Sequence, residues 1–168
     1  MGGIFEREKE PVFVGTDDDG IETVYRFLKD NGFTERSEEP LPEDIRHSRI
    51  LVSGGGGVAA SFDRLEPLAR LLGARVSVSR RLVGLGIAPR RIQVGQSGRN
   101  VNCDLYIAIG IYGAFQHVVG LNNVKHIIVV NKNRLAPICS LADVVVEGDA
   151  IEFIEKMTAR LESDGQQR

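Results

Sequence analysis

Gln93, Val94, Gly95, Gln96, Ser97 and Gly98 set two amides, a hydroxyl and two glycines in six consecutive residues. Shortly after, GIYGAFQH at 110–117 adds Gly110, Gly113, Gln116 and His117, with Tyr112 and Ala114 between them. A serine and a cation stand together at Ser79 and Arg80, Asn131 precedes Lys132, and Asp149 ends the run EGD. Amides and hydroxyls donate hydrogen bonds to ring nitrogens and carbonyls, a guanidinium offsets negative charge, and glycines let backbone N–H groups approach a phosphate. These groups hold a ligand rather than break a bond. The sequence offers no Ser-His-Asp or Cys-His motif and no metal-ligand cluster, so redox or group-transfer chemistry would have to come from a bound cofactor.

The elements that must position these residues follow from hydrophobic periodicity. From residue 49 onward the pattern is strand, glycine turn, helix, repeated. RILVSGGGG is an apolar run ending in glycines, and SFDRLEPLARLLG has apolar residues at helical spacing and stops at Gly73. ARVSV, DLYIAIG, KHIIVVN and ADVVVEG supply four more strands, with helices expected over 79–85, 113–121 and 150–161. Near-continuous β-branched runs alternating with helices imply a mostly parallel, doubly wound sheet covered by helices on both faces, a three-layer Rossmann-like α/β fold. Ligands of such sheets lie beyond the carboxyl ends of the strands, where SGGGG, Ser79-Arg80, GIYG, Asn131-Lys132 and EGD all fall. Neither GxGxxG nor GxxxxGK[ST] is present. Residues 1–48 are richer in charge: PVFVG allows a short strand, 21–31 an amphipathic helix, and ERSEEPLPEDIRHS an exposed connector.

Composition narrows the class. With 168 residues the chain has room for one substantial core. A net charge of -2 gives no electrostatic argument for nucleic acid or an anionic membrane. Two cysteines in no CxxC spacing suit a reducing compartment, and the absence of a membrane-length apolar window or a basic leader makes a cytoplasmic protein the expectation.

Taken in order and spacing, IQVGQSG, LYIAIG with GAFQH and Gly120, VVNK, and API followed by AD resemble the C-terminal FAD-binding domain of the electron transfer flavoprotein alpha subunit. The resemblance runs from about residue 49 to 161, making 49–168 the FAD-binding domain and 1–48 an N-terminal extension or short partial α/β segment. It implies an electron carrier, not a substrate-converting enzyme, that passes electrons between redox partner proteins. Residue by residue, Arg80 is expected beside the isoalloxazine ring, the hydroxyl of Ser97 at flavin N5, and His117 near the flavin O2 carbonyl. Gly110, Gly113 and Ala114 would offer a tight turn and amides to the pyrophosphate, with Asn131 near the adenosine or pyrophosphate portion and Asp149 toward the adenosine end.

Each residue also has a plainer reading. Arg80 with Arg81 makes a solvated basic pair, Ser97 a local turn bond, His117 a surface or capping residue, Asn131 a strand-end cap and Asp149 an N-cap. Departures from the family bear on retention of FAD. Tyr112 stands where the family has a small hydroxyl residue, Phe115 replaces a smaller aliphatic, and Gly56 stands where the family's SGGRG has arginine. A nucleotide-binding or regulatory module without electron transfer is the alternative. The family's alpha subunits carry a further N-terminal domain that packs on a beta subunit, so association with a beta-type subunit or with itself is expected.

Overall fold

The computed structural model describes residues 10–35 and 37–166; the N-terminal stretch read above as free of a leader lies outside them over 1–9. Six strands form one parallel sheet: β1 (Val12–Val14), β2 (Ile50–Gly54), β3 (Arg75–Val78), β4 (Leu105–Ile109), β5 (His126–Asn131) and β6 (Val144–Glu147). Their spatial order is β1-β6-β5-β4-β2-β3. After β2 the chain moves outward to β3 and then returns to the other side of β2 as β4. The strand order therefore reverses between β2 and β4, which opens a crevice at their carboxyl ends.

Period-two alternation divides the sheet's side chains between two cores. Ile50, Val52, Ile107, Ile109, Ile128, Val130, Val144 and Val146 face one side. There they meet α1 (Asp18–Asp30), α2 (Leu65–Leu72) and α5 (Ala150–Gln166). Leu51, Tyr106, Ala108, Ile127, Val129 and Val145 face the other, beneath short helical turns and loops that contribute Val94, Ile111, Val118 and Ile138. Burial on both faces explains why the strands read as continuous apolar runs and not as alternating ones.

Local chemistry sets the helix bounds. The Asp17 side chain caps α1 by accepting from the Gly20 N–H at 3.0 Å. The helix expected from residue 61 begins only at Leu65, following 3-10 turns over Gly56–Arg64. Pro67 supplies the reason: an earlier start would place its missing N–H and its ring in the helix interior, whereas in the first turn neither matters. Gly73, at φ 64°, closes α2 in the left-handed region. α3 (Arg80–Gly84) matches its expectation to a residue at each end. The helix expected over 113–121 shrinks to α4 (Phe115–Val118) and a 3-10 turn over Val119–Leu121, because Gly113 lies at φ 83° and cannot be helical.

N-terminal to residue 49 the chain is woven into the same sheet: β1 pairs with β6, and α1 contributes Val24, Tyr25 and Leu28 to the core shared with α5. The connector before β2 is mostly exposed, but Ile45 inserts into the second core, so the segment is anchored and not wholly solvent-facing. No helix among the described residues is long and apolar enough to cross a membrane.

Candidate functional site

Two cavities, of about 510 and 310 Å³, open at the carboxyl edge of the sheet and share Gly57, Gly110 and Tyr112 as a common wall. The shared wall is the β2/β4 crevice itself. Gly57 donates to the Gly110 carbonyl at 3.0 Å, and a Cβ on Gly57 would stand 2.8 Å from the Gly110 Cα. The glycines thus let the two post-strand turns pack backbone on backbone, which draws the cavities into one cleft.

Besides the turn after β2, three segments bound the larger cavity. Ser79 and Arg80 enter from the β3–α3 junction, Gln93 to Ser97 from the following loop, and Gly113, Ala114, Gln116 and His117 from the start of α4. The loop is fastened to that helix by the Gln96 N–H, which donates to the Gln116 carbonyl at 2.6 Å. Within it, buried Gln93 donates through Nε2 to Ser97 Oγ at 2.8 Å. That bond occupies a lone pair of Ser97 and leaves its hydroxyl proton free to point elsewhere. Gly98 is the one expected site residue that borders neither cavity; a Cβ there would meet the Gln93 carbonyl at 2.3 Å, so it serves the turn.

His117 sits on a buried polar chain. The Tyr106 hydroxyl donates to Ser53 Oγ at 2.7 Å and lies 2.9 Å from His117 Nε2. With the phenol proton given to Ser53, Nε2–H donates to the phenol oxygen and Nδ1 is the lone-pair nitrogen. Reversing both hydroxyls moves the imidazole proton to Nδ1. Nδ1 is buried without a hydrogen-bond partner among the described residues. Burial pushes the His117 pKa down to about 4, the Val94 carbonyl opposing in part, so the ring is neutral near pH 7. Burial likewise holds the Tyr106 phenol protonated, well above its ordinary range. Surface capping, the plainer reading of His117, does not describe a ring only 7% exposed.

The smaller cavity contains Asn131 and Asp149, with Lys132, Asn133 and Gly148. Here both expected residues have structural duties. Asn131 donates to the Ile111 carbonyl and accepts from the Asn133 N–H, both at 2.9 Å. Asp149 accepts from the Glu152 N–H at 3.0 Å as the cap of α5, and its other oxygen lies 3.6 Å from Lys132 Nζ.

Gly57, Arg81 and Ile111 also border the larger cavity, although the sequence reading did not place them in the site. Gly57 lay in a recognised glycine turn, and Arg81 was legible only as half of a basic pair. Arg80 and Arg81 contribute two cations while no carboxylate lines this cavity; Tyr112, which lines it, and Phe115, next in sequence to its lining residues Ala114 and Gln116, are exposed at 64% and 70%.

A parallel doubly wound domain with a cationic, glycine-walled cleft at its switch point is a dinucleotide-binding domain in class. Comparison with known proteins makes the class specific. Residues 44–122 match the model of the electron transfer flavoprotein FAD-binding domain. The electron transfer flavoprotein subunit alpha of Paracoccus denitrificans is 42% identical over 129 residues, covering 76% of this chain and 42% of that protein. Those of Mycobacterium leprae and Clostridium acetobutylicum are 44% and 38% identical over 117 and 122 residues, covering 68% and 71% of this chain and 37% and 36% of theirs. Through this domain the chain is similar to the electron transfer flavoprotein alpha subunits. It spans less than half the length of these relatives.

The residues present fit FAD. The cleft has two lobes for the two halves of a dinucleotide, and the larger offers two guanidiniums, a hydroxyl with a free proton and a neutral imidazole.

Proposed function

We propose that the chain binds FAD extended across the carboxyl edge of the sheet, flavin in the larger lobe and adenosine in the smaller, as a subunit that passes electrons between redox proteins. The observation that carries this reading is the two-lobed cleft whose larger lobe contains arginines and no carboxylate. FAD supplies the electron chemistry when bound, accepting and releasing electrons at its ring. The chain's own groups orient and bias it. Arg80 places a fixed positive charge in the flavin lobe, Ser97 presents a donor, and His117, held neutral by burial, keeps its proton on whichever nitrogen the Tyr106–Ser53 pair assigns. Pre-set donors favour the more negative, reduced ring over the oxidised one, which raises the potential.

Gln93, Val94, Gly95 and Gln96 shape the lobe's wall and Gln116 anchors it, while Gly110, Gly113 and Ala114 bring backbone toward the pyrophosphate. Asn131 and Asp149 would take the adenosine end through what their structural bonds leave free. The exposed rings of Tyr112, on the cavity wall, and of Phe115, close to it in sequence, suit docking of a beta-type subunit or a second copy, which would cover apolar surface. Buried free thiols at Cys103 and Cys139 suit a reducing, cytoplasmic setting.

A visible spectrum after FAD loading and gel filtration tests the reading. Flavin bands at close to one FAD per chain are expected. A colourless protein that binds adenine nucleotides instead would make it a nucleotide-binding module, the reading that Gly56 and Tyr112 favour.

A further inference from the structure

The turn after β2 lacks a side chain at Gly56, and another residue occupies that space. A Cβ built on Gly56 would stand 3.1 Å from Arg81 Cδ and 3.2 Å from its Nε. The Arg81 side chain therefore lies across the bare backbone of Gly56 and reaches the wall of the larger lobe. None of the ion pairs among the described residues uses it, and no carboxylate lines the lobe to neutralise it. An arginine extended over a glycine turn next to the shared wall, with no acid among the residues that line its lobe, is placed to meet an anion.

We infer that Arg81 is a second cationic binding residue of the cleft, that it contacts the pyrophosphate of the bound dinucleotide, and that Gly56 is what admits it. This rests on the FAD reading given above. A dinucleotide spread over both lobes must pass its linker across their common wall at Gly57 and Gly110, and Gly56 adjoins that wall. The pyrophosphate is the charged part of the oxidised cofactor, and a guanidinium binds phosphate oxygens in a bidentate manner. The basic pair thereby divides its duties: Arg80 serves the flavin ring and Arg81 the linker. It also changes the meaning of Gly56, which vacates a place that Arg81 fills from a neighbouring helix.

Dissociation constants for FAD, ADP and riboflavin, measured by fluorescence or calorimetry on the full chain, test the inference. Arg81→Ala is expected to weaken FAD and ADP by about tenfold or more, to flatten the salt dependence of FAD binding, and to leave riboflavin, which has no phosphate, within twofold. Gly56→Leu is expected to weaken FAD by displacing Arg81, yet to add little in the Arg81→Ala background, a non-additivity that bulk at position 56 alone would not give. Equal FAD affinity in wild type and Arg81→Ala would overturn the inference and leave the FAD reading standing, as would an equal loss of riboflavin. A wild-type chain with no affinity for FAD would overturn both.

Discussion

Acid should weaken this protein through one imidazole. Folded His117 has its pKa pushed down to about 4 by burial, against an ordinary 6.5 for an exposed ring. Between those values the unfolded chain binds a proton that the folded chain does not, so stability rises with pH there. The contribution is complete above about pH 6.5 and is lost as pH falls toward 4. A gap of roughly 2.5 pH units sets a full loss of about 3 kcal/mol, and more than half of it should be gone by pH 5. Carboxylates held low by arginine partners, Glu22 by Arg160 and Asp44 by Arg46, give up their contribution only at more acid pH. The assay is urea unfolding of the FAD-free chain at pH 7.5, 6, 5 and 4.5, alongside His117→Gln, whose amide does not titrate. Wild type should lose stability steeply across this series, and the variant, less stable at pH 7.5, should approach wild type as pH falls. Parallel pH profiles for the two proteins would show that His117 is not held neutral by burial, and the reading of an uncharged imidazole in the flavin lobe would fall with it.

Tyr106→Phe strands Ser53 Oγ and His117 Nε2 in the core, so unfolding should register a loss of about 2–4 kcal/mol with little change in m-value. Arg80→Ala should lower the first reduction potential of the FAD-loaded chain by about 60 to 130 mV, the equivalent of a charge-assisted hydrogen bond; a potentiometric titration with unchanged values would remove Arg80 from the flavin. Tyr112→Ser should tighten FAD binding if the tyrosine ring only obstructs the shared wall, and titration calorimetry showing weaker binding would mean that the ring stacks on the cofactor.

Much of this architecture was written in local chemistry. Continuous β-branched runs ending in glycine or a polar residue specify buried parallel strands, and Gly73 and Pro67 mark where helix is allowed, because each acts through its own backbone and near neighbours. The expected ligand-binding segments follow from the same logic, since a parallel doubly wound sheet gathers its post-strand turns at one edge. Sequence could not decide which turns touch. The reversal between β2 and β4, which welds Gly57 to Gly110 and makes two cavities a single cleft, depends on strand order. Nor could it show that the polar groups of Tyr106, Ser53 and His117 share one buried chain. Those residues lie as far as 64 positions apart from Ser53 to His117 and meet only through sheet register. Arg81 is the sharpest case. In sequence it is one of two adjacent arginines with no feature to separate them, and its place over Gly56 exists only because β3 and the helix after it pack beside the turn that follows β2. A side chain's type and its immediate neighbours are local, but the field it feels and the space it fills are set by residues brought close only by the fold.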